Sequence, residues 1–250
     1  MLFCASELVY AQSTPPADAL SYSDSEKALL PSIGGYFNYN LNYHTANFAK
    51  LPDVPNCCQN FTKGSGTGIS FGGFYQLPIN ERLLIDLRLG YSSLGGTLES
   101  AETPCVIVGG NVTQGLFKHI LDVKLATIGL EPAFSYTPFG NLHLNIGLQG
   151  GFMVTKTFSQ REQIVTPSDR GVFIDTNGRP QGRTRNVYFG TIPKASNINL
   201  AVLAGAGYRL PLNSDGSLHL IPEVYYTFGL TPIIPGYKWS VSTLRFGASV

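Results

Sequence analysis

The sequence has little charge and no long apolar run. Lys, Arg, Asp and Glu supply only 13% of the 250 residues, which is about half of their share in an ordinary globular protein. The formal net charge of +1 lacks the basic excess of a nucleic-acid-binding surface, so we expect no nucleic-acid partner. No apolar stretch reaches the roughly 18 residues that a transmembrane helix requires. A chain that crosses a membrane without such a helix must form a closed β-barrel.

Aromatic residues and glycine are plentiful, and they follow a two-residue period. In the stretch IGGYFNYNLNYH, from Ile33 to His44, most odd positions are apolar or aromatic, whereas the even positions include three asparagines. Successive side chains of a β-strand point to opposite faces, so this stretch predicts a strand with two differently solvated faces. It is also about twice as long as a usual strand of a soluble protein.

The same alternation recurs in seven further segments, which gives eight predicted strands. The segments cover residues 33–44, 68–77, 82–92, 119–137, 142–154, 197–210, 218–230 and 239–250. In the fourth segment the apolar positions change phase near Thr127, which predicts a β-bulge there. Pro132 lies in the same segment, where it removes one ladder hydrogen bond.

The connections between these segments alternate between short and long. The short ones are the turn-forming sequences PINER, PFGN and PLNSDGS. The others, mostly long, cover about residues 45–67, 93–118, 155–196 and 231–238. Short turns at one rim and long loops at the other are typical of outer-membrane barrels. We therefore predict an all-β fold, an eight-stranded antiparallel up-and-down transmembrane β-barrel in the bacterial outer membrane.

In such a barrel the apolar face of each strand meets lipid and the polar face lines the lumen. An eight-stranded barrel has an interior just wide enough to be filled by side chains. Buried charges must be paired, so we predict lumen salt bridges, with Glu223 matched to Arg245 and Glu131 to Arg88 on neighbouring strands. A structural plug is favoured over a proton or ion path. The predicted network comprises Asp86, Arg88, Asp122, Lys124, Glu131, Arg209, Glu223 and Arg245.

Two of the long loops carry cysteine. In an oxidising compartment Cys57 or Cys58 could form a disulfide with the Cys105 thiol, although a vicinal 57/58 ring or a free thiol stays open. No histidine lies near these cysteines at ligand spacing, so we predict no metal site and no cofactor.

The third long loop carries five arginines and few acidic residues. These are Arg161, Arg170, Arg179, Arg183 and Arg185. They form either a solvated loop or a basic extracellular surface that contacts anionic lipid head groups or another protein. The predicted partners are therefore outer-membrane lipid, including lipopolysaccharide, and an extracellular or envelope protein.

The amino-terminal segment differs from the barrel region. Residues 1–11 resemble the end of a secretory signal, with Val9 and Ala11 before a cut at Gln12. Residues 12–29 are polar and contain proline, which predicts a flexible linker. The barrel domain is then expected to occupy residues 30–250.

No catalytic set is fixed by spacing. His44 and His119 lie near the predicted loop rim, with Asp122 close to His119, but no serine is placed beside them by the pattern. His143 and His219 lie near the turn rim on strands that are not neighbours, where packing is the expected role. We therefore predict that the protein is not an enzyme.

The chain resembles the outer-membrane β-barrel family related to the OmpA and OmpX barrels, in the form found in Bacteroidota and Chlorobi. The resemblance covers about residues 30 to 250 and rests on the sequences LPDVPNCCQNFTKGSGTGISFGGFYQLPI, LEPAFSYTPFGNLHLNIGLQGG and WSVSTLRFGASV. It implies an envelope-structural or adhesive role, with no catalytic residues to carry over. The alternatives are a narrow solute or ion channel and, from another class, a soluble β-barrel that binds an apolar ligand.

Overall fold

The computed structural model describes residues 30–55, 60–108, 110–169, 171–214 and 216–250. The predicted signal and linker, residues 1–29, lie outside the described residues. Among the described residues there is no helix long and apolar enough to cross a membrane. The strands are β1 (Ser32–Phe48), β2 (Phe61–Pro78), β3 (Leu83–Ser93), β4 (Gly96–Glu102), β5 (Cys105–Val108), β6 (Asn111–Gln114), β7 (Leu116–Tyr136), β8 (Leu142–Thr166), β9 (Phe173–Ile174), β10 (Pro180–Gly182), β11 (Thr184–Thr191), β12 (Ile198–Tyr208), β13 (Leu210–Pro211), β14 (His219–Gly229) and β15 (Lys238–Ser249).

The hydrogen-bonded pairs close into a ring. From β1 the ring runs through β2, β3, β7, β8, β12, β14 and β15 and returns to β1, and every pairing is antiparallel. The predicted all-β barrel fold is confirmed. The ring is uneven, because its strands range from 11 to 25 residues. Two further strands widen one end, where β4 pairs with both β2 and β7 and β11 pairs with β8.

The first strand shows how sequence alternation becomes two faces. Tyr36, Asn38 and Asn40 of β1 are buried inside the ring, whereas Ile33 and Phe37 are more than half exposed on the outside. The same arrangement extends around the ring, where outward apolar residues form a continuous band. On β7 and β8 this band ends near Ile128 and Val154. Such an inside-out distribution of apolar side chains suits a lipid environment rather than water.

The predicted β-bulge near Thr127 is confirmed, but it lies on the partner strand, and the predicted change of phase along the fourth segment is wrong. Leu121, Val123 and Leu125 of β7 are buried inside the ring, on the same side as Thr127 and Glu131, so β7 keeps its phase. The register between β7 and β8 shifts by one residue between Ala126 and Thr127. The extra residue, Val154, lies on β8, where the buried positions pass from odd to even numbers.

The apolar core therefore lies inside the barrel, at the end that carries the long connections. Phe48, Phe61, Leu98, Leu121 and Trp239 belong to one cluster of buried residues. The same cluster includes Leu51 and Val54 from the β1–β2 connection and Ile192, Ile233 and Ile234 from two other connections. These connections fold over the lumen and close it.

Much of the predicted loop sequence is strand. β8 continues to Thr166, β2 begins at Phe61, and β4 and β11 lie within stretches that the sequence pattern leaves as loops. A two-stranded hairpin of β5 and β6 and another of β9 and β10 lie beyond the ring. The wall formed by β7, β8 and β11 thus extends well past the apolar band.

Candidate functional site

The lumen contains a buried ion pair between two opposite walls. Arg88 of β3 donates from Nη1 and Nη2 to the two carboxylate oxygens of Glu223 on β14, each at 2.8 Å. The strands β3 and β14 are four positions apart in the ring of eight, so this pair spans the diameter. Asn38 and Ser249 also donate to the Glu223 carboxylate, at 2.9 and 3.2 Å.

A second buried pair also crosses the lumen. Arg245 of β15 donates to both oxygens of Glu131 on β7, at 2.7 and 3.0 Å, and these strands are again four positions apart. Gln149 donates to Glu131 at 2.9 Å. The ring of Tyr225 lies near both guanidinium groups, with its centroid 4.7 Å from Arg88 and 5.4 Å from Arg245. These contacts fill the middle of the barrel.

The predicted choice of partners among these four residues is wrong. Arg88 does lie directly opposite Glu131 in the β3–β7 register, but its guanidinium group binds Glu223. Arg245 lies opposite Tyr225, and Glu223 opposite Gly247. Because the lumen is narrow, a long arginine side chain reaches the far wall, where both planar groups meet in two parallel hydrogen bonds.

Two other members of the predicted network, Asp86 and Arg209, also lie in the lumen. Asp86 accepts a hydrogen bond from Arg88 Nε at 3.2 Å and one from Gln76 at 3.4 Å. Arg209 lies near the short-turn rim, where its Nη2 is 3.3 Å from Gln76 Oε1. Together with the Arg88–Glu223 pair, these contacts form a continuous polar chain from the turn rim to the middle of the barrel.

The structure places the other two predicted members on the outer wall. Asp122 and Lys124 face outward, because β7 keeps its phase past Thr127. Asp122 accepts hydrogen bonds from Thr97 Oγ1 and Arg161 Nη1. Asp122 lies above the apolar band. Partial burial acts to raise its pKa, but the hydrogen bonds and the arginine charge outweigh this, so the pKa is lowered.

The histidines near the outer rim have structural contacts. Trp239 Nε1 donates to His44 Nδ1 at 3.2 Å beneath the apolar core. His119 lies 3.4 Å from Glu102, between Nε2 and Oε1. Near the other rim, Thr137 Oγ1 lies 2.9 Å from His143 Nδ1.

One cluster could hold a cation, and sequence reasoning missed it. Glu102, His119 and Glu162 bring one ligand atom each within 4.8 Å of one another. The Glu162 carboxylate, however, accepts hydrogen bonds from Arg185 Nε and Nη2 at 2.8 and 2.7 Å and from Asn186 at 2.7 Å. The Arg185 guanidinium group therefore already provides the positive charge that a metal ion would bring to the Glu162 carboxylate. Only the pairing of β4, β7 and β8 joins these residues, which are far apart in the chain.

Most of the arginines predicted to form a basic loop surface make internal contacts. Arg161 pairs with Asp122, Arg185 pairs with Glu162, and Arg183 donates to the backbone oxygens of Ile164 and Pro167. Arg179 is exposed directly before β10, and Arg170 lies outside the described residues. Three of the five thus connect β7, β8 and β11 rather than form an open basic patch.

Only one of the three cysteines in the predicted disulfide lies among the described residues. Cys105 is exposed at the start of β5, whereas Cys57 and Cys58 lie outside the described residues. Their pairing stays a prediction.

Together, a closed antiparallel ring, an outward apolar band and a filled polar lumen define an outer-membrane β-barrel. The chain belongs to the family described as outer membrane protein beta-barrel domain, whose family model matches residues 32–235. Its place is the bacterial outer membrane. The alternative of a soluble barrel with its apolar faces inside is wrong, since those faces point outward.

Several solved structures are similar to this chain. Ail, the attachment invasion locus protein of Yersinia pestis, is 12% identical over 87% of this chain and 95% of that chain, with a TM-score of 0.33. Neisserial surface protein A is 13% identical over 86% and 94%, with a TM-score of 0.33. The outer membrane protease OmpT from Escherichia coli is 10% identical over 88% and 93%, with a TM-score of 0.35. The comparison with curated proteins found no match.

Proposed function

We propose that the protein is a plugged barrel that anchors in the outer membrane and presents the outer part of β8 with β11, the β11 hairpin, to a protein partner outside the cell. The observation that carries this proposal is an exposed apolar patch on β11, beyond the membrane band. Val187 is 57% exposed, Tyr188 38% and Phe189 82%. Exposed apolar patches of this kind mark interaction sites.

The position of β11 adds a second means of binding. β11 stands at the end of the sheet order and pairs with β8, so its other edge offers backbone groups. An exposed strand edge can accept a strand of another protein, with backbone hydrogen bonds for affinity and side-chain pockets for specificity. The partner that fits is therefore an extracellular protein with an extended segment and apolar side chains.

The filled lumen supports an anchor more than a channel. The cross-lumen pairs of Arg88 with Glu223 and of Arg245 with Glu131 occupy the middle, and the apolar cluster around Trp239 closes the outer end. An ion that passed would have to displace both layers. In planar bilayers we expect no steady conductance above that of protein-free membranes, and a stable ohmic channel would contradict the plugged-barrel proposal.

We also infer that the protein is not an enzyme. In the described part of the chain, His44 bonds to Trp239, His119 contacts Glu102 and His143 contacts Thr137. These contacts give the three histidines structural roles. Proteoliposomes of the full chain should not cleave a mixture of unstructured peptides, and turnover lost in a His119→Gln variant would contradict this inference.

Site-specific photo-crosslinking tests the hairpin. Benzoylphenylalanine replaces Phe189 in cells that display the full chain, and separate controls carry it at Phe152 on the lipid face and at Phe139 in a short turn. Irradiation should give a discrete protein adduct from position 189 that neither control gives. Equal yields at all three positions, or lipid adducts alone at 189, would refute a protein-binding hairpin.

A further inference from the structure

The outer wall has a notch where β3 ends and β4 begins. After Ser93 the chain turns inward, Leu94 becomes buried and its N–H bonds to Leu125 O at 2.8 Å. Asn42 inside the lumen holds this turn by donating to Gly95 O at 2.9 Å. The resulting recess encloses about 680 Å³. Its lining includes six serine and threonine side chains, those of Thr67, Ser93, Thr97, Thr155, Thr157 and Ser159.

The notch contains one uncommitted positive charge. Lys124 is exposed on its wall, and no ion pair or hydrogen bond of its amino group occurs within the described residues. The acid beside it, Asp122, is neutralised by Arg161. Tyr91 lies at the lower border, level with the top of the apolar band. A recess of hydroxyl groups with a single free cation suits a phosphorylated sugar.

An apolar groove lies directly below the notch. It encloses about 370 Å³, and its lining is almost entirely apolar, with Leu89, Ile128, Leu130, Phe152, Ile198 and Leu200 around it. Its floor is formed at Gly150, where an added Cβ would lie 3.3 Å from Leu200 Cδ2. The missing side chain therefore creates the depth of the groove.

The two recesses share the strands β3, β7 and β8 and lie one above the other on the outer wall. Along the outward face of β7, Lys124 is followed by Ile128 and Leu130, and along β3 Tyr91 is followed by Leu89. At about 3.3 Å per residue, Leu89 lies about 7 Å below Tyr91 on β3, and Ile128 lies about 13 Å below Lys124 on β7. The polar recess thus lies at head-group height and the groove at acyl-chain height, on the side of the membrane that carries the long connections.

We propose that this combined site binds one phosphorylated, acylated glycolipid of the outer leaflet, the chemistry of the lipid anchor of lipopolysaccharide. A phosphate contacts Lys124, the sugar hydroxyls bond to the threonine and serine side chains, and one acyl chain lies in the groove over Gly150. The volume of the notch and its hydroxyl lining favour a saccharide over the small head group of a phospholipid. This site is separate from the β11 hairpin and does not depend on its function.

Native mass spectrometry of the detergent-solubilised full chain tests the site. The probe is bisphosphorylated lipid A, with phosphatidylglycerol as the competing anionic lipid. Lys124→Gln and Gly150→Leu remove the cation and the groove. The matched controls are Lys238→Gln on the opposite strand β15 and Gly35→Leu on β1, where the nearest atom to an added Cβ is 3.6 Å away.

We expect one bound lipid A, with affinity reduced about tenfold in Lys124→Gln, the size of one lost charged hydrogen bond. Gly150→Leu should also lose binding, and neither control should. Heat-shifted migration on gels verifies that each variant is folded, and Gly150→Ala replaces the leucine variant if that one misfolds. Equal binding of phosphatidylglycerol, equal losses in the controls, or a second copy of the chain in the groove would each overturn the proposal.

Discussion

Removal of Glu223 tests whether the cross-lumen pair stabilises the barrel. In Glu223→Gln the guanidinium group of Arg88, which is 4% exposed, loses a carboxylate that it contacts through two bonds of 2.8 Å. Leaving one buried charge without its partner costs about 3 to 5 kcal/mol. Asp86 stays 3.2 Å from Arg88 Nε and retains part of the pairing. We therefore expect a loss near the lower limit, about 3 kcal/mol of unfolding free energy.

A double-mutant cycle separates the pair from general packing. Arg88→Met combined with Glu223→Gln should cost less than the two single changes together, with a coupling energy of about 2 to 3 kcal/mol. The control cycle combines Arg88→Met with Glu131→Gln. Arg88 and Glu131 are opposite in register but are not hydrogen-bonded to each other, so their coupling should be at most about 1 kcal/mol.

Urea unfolding in lipid vesicles provides the measurement. Trp239 is the single tryptophan of the chain, and it lies buried in the outer apolar cluster, so its fluorescence reports loss of the folded barrel. A coupling between Arg88 and Glu223 no larger than the control coupling would refute the cross-lumen assignment. That result would instead support the pairs on neighbouring strands, Arg88 with Glu131 and Arg245 with Glu223, that the alternation alone predicts.

Three further predictions follow from local geometry. Gly247→Val should abolish refolding as judged by gel mobility, because a Cβ there would lie 2.0 Å from a backbone oxygen of β1, whereas Gly73→Val on the lipid face should refold normally. Trp239→Phe should lower the midpoint of thermal loss of circular dichroism by removing a buried hydrogen bond to His44 worth about 1 kcal/mol. NMR titration of Asp122 should give a pKa below the ordinary carboxyl value. Its contribution to stability is therefore present above that ordinary value and is lost as pH falls through the lowered pKa. A midpoint at or above the ordinary value would contradict the pairing of Asp122 with Arg161.

The sequence alone determined the barrel and most of its faces. Strand alternation has a period of two and is a local property, so Ile33 and Phe37 could be assigned outward and Asn38 and Asn40 inward before any contact was known. The low charge and the alternation of short and long connections then indicated an outer-membrane barrel. These inferences need only the chain order and the two solvents on either side of a strand.

Only the tertiary structure decided at what height the apolar face of a strand changes from outward to inward. Within the membrane an apolar face points outward, but beyond the membrane water lies outside and the apolar face turns inward. Leu121, Val123 and Leu125 face inward because they lie beyond the membrane. The sequence does not mark the height at which this reversal begins. The alternation therefore misplaced Asp122 and Lys124 in the lumen.

Ring closure decided the partners of the lumen charges. Along the sequence, Arg88 and Glu131 occupy matching positions on adjacent strands, which predicts a neighbouring pair. Closure of the ring brings β3 opposite β14 and β7 opposite β15, at distances that an arginine side chain can span. Which carboxylate each arginine meets depends on the diameter and register of the closed barrel, and local sequence carries neither.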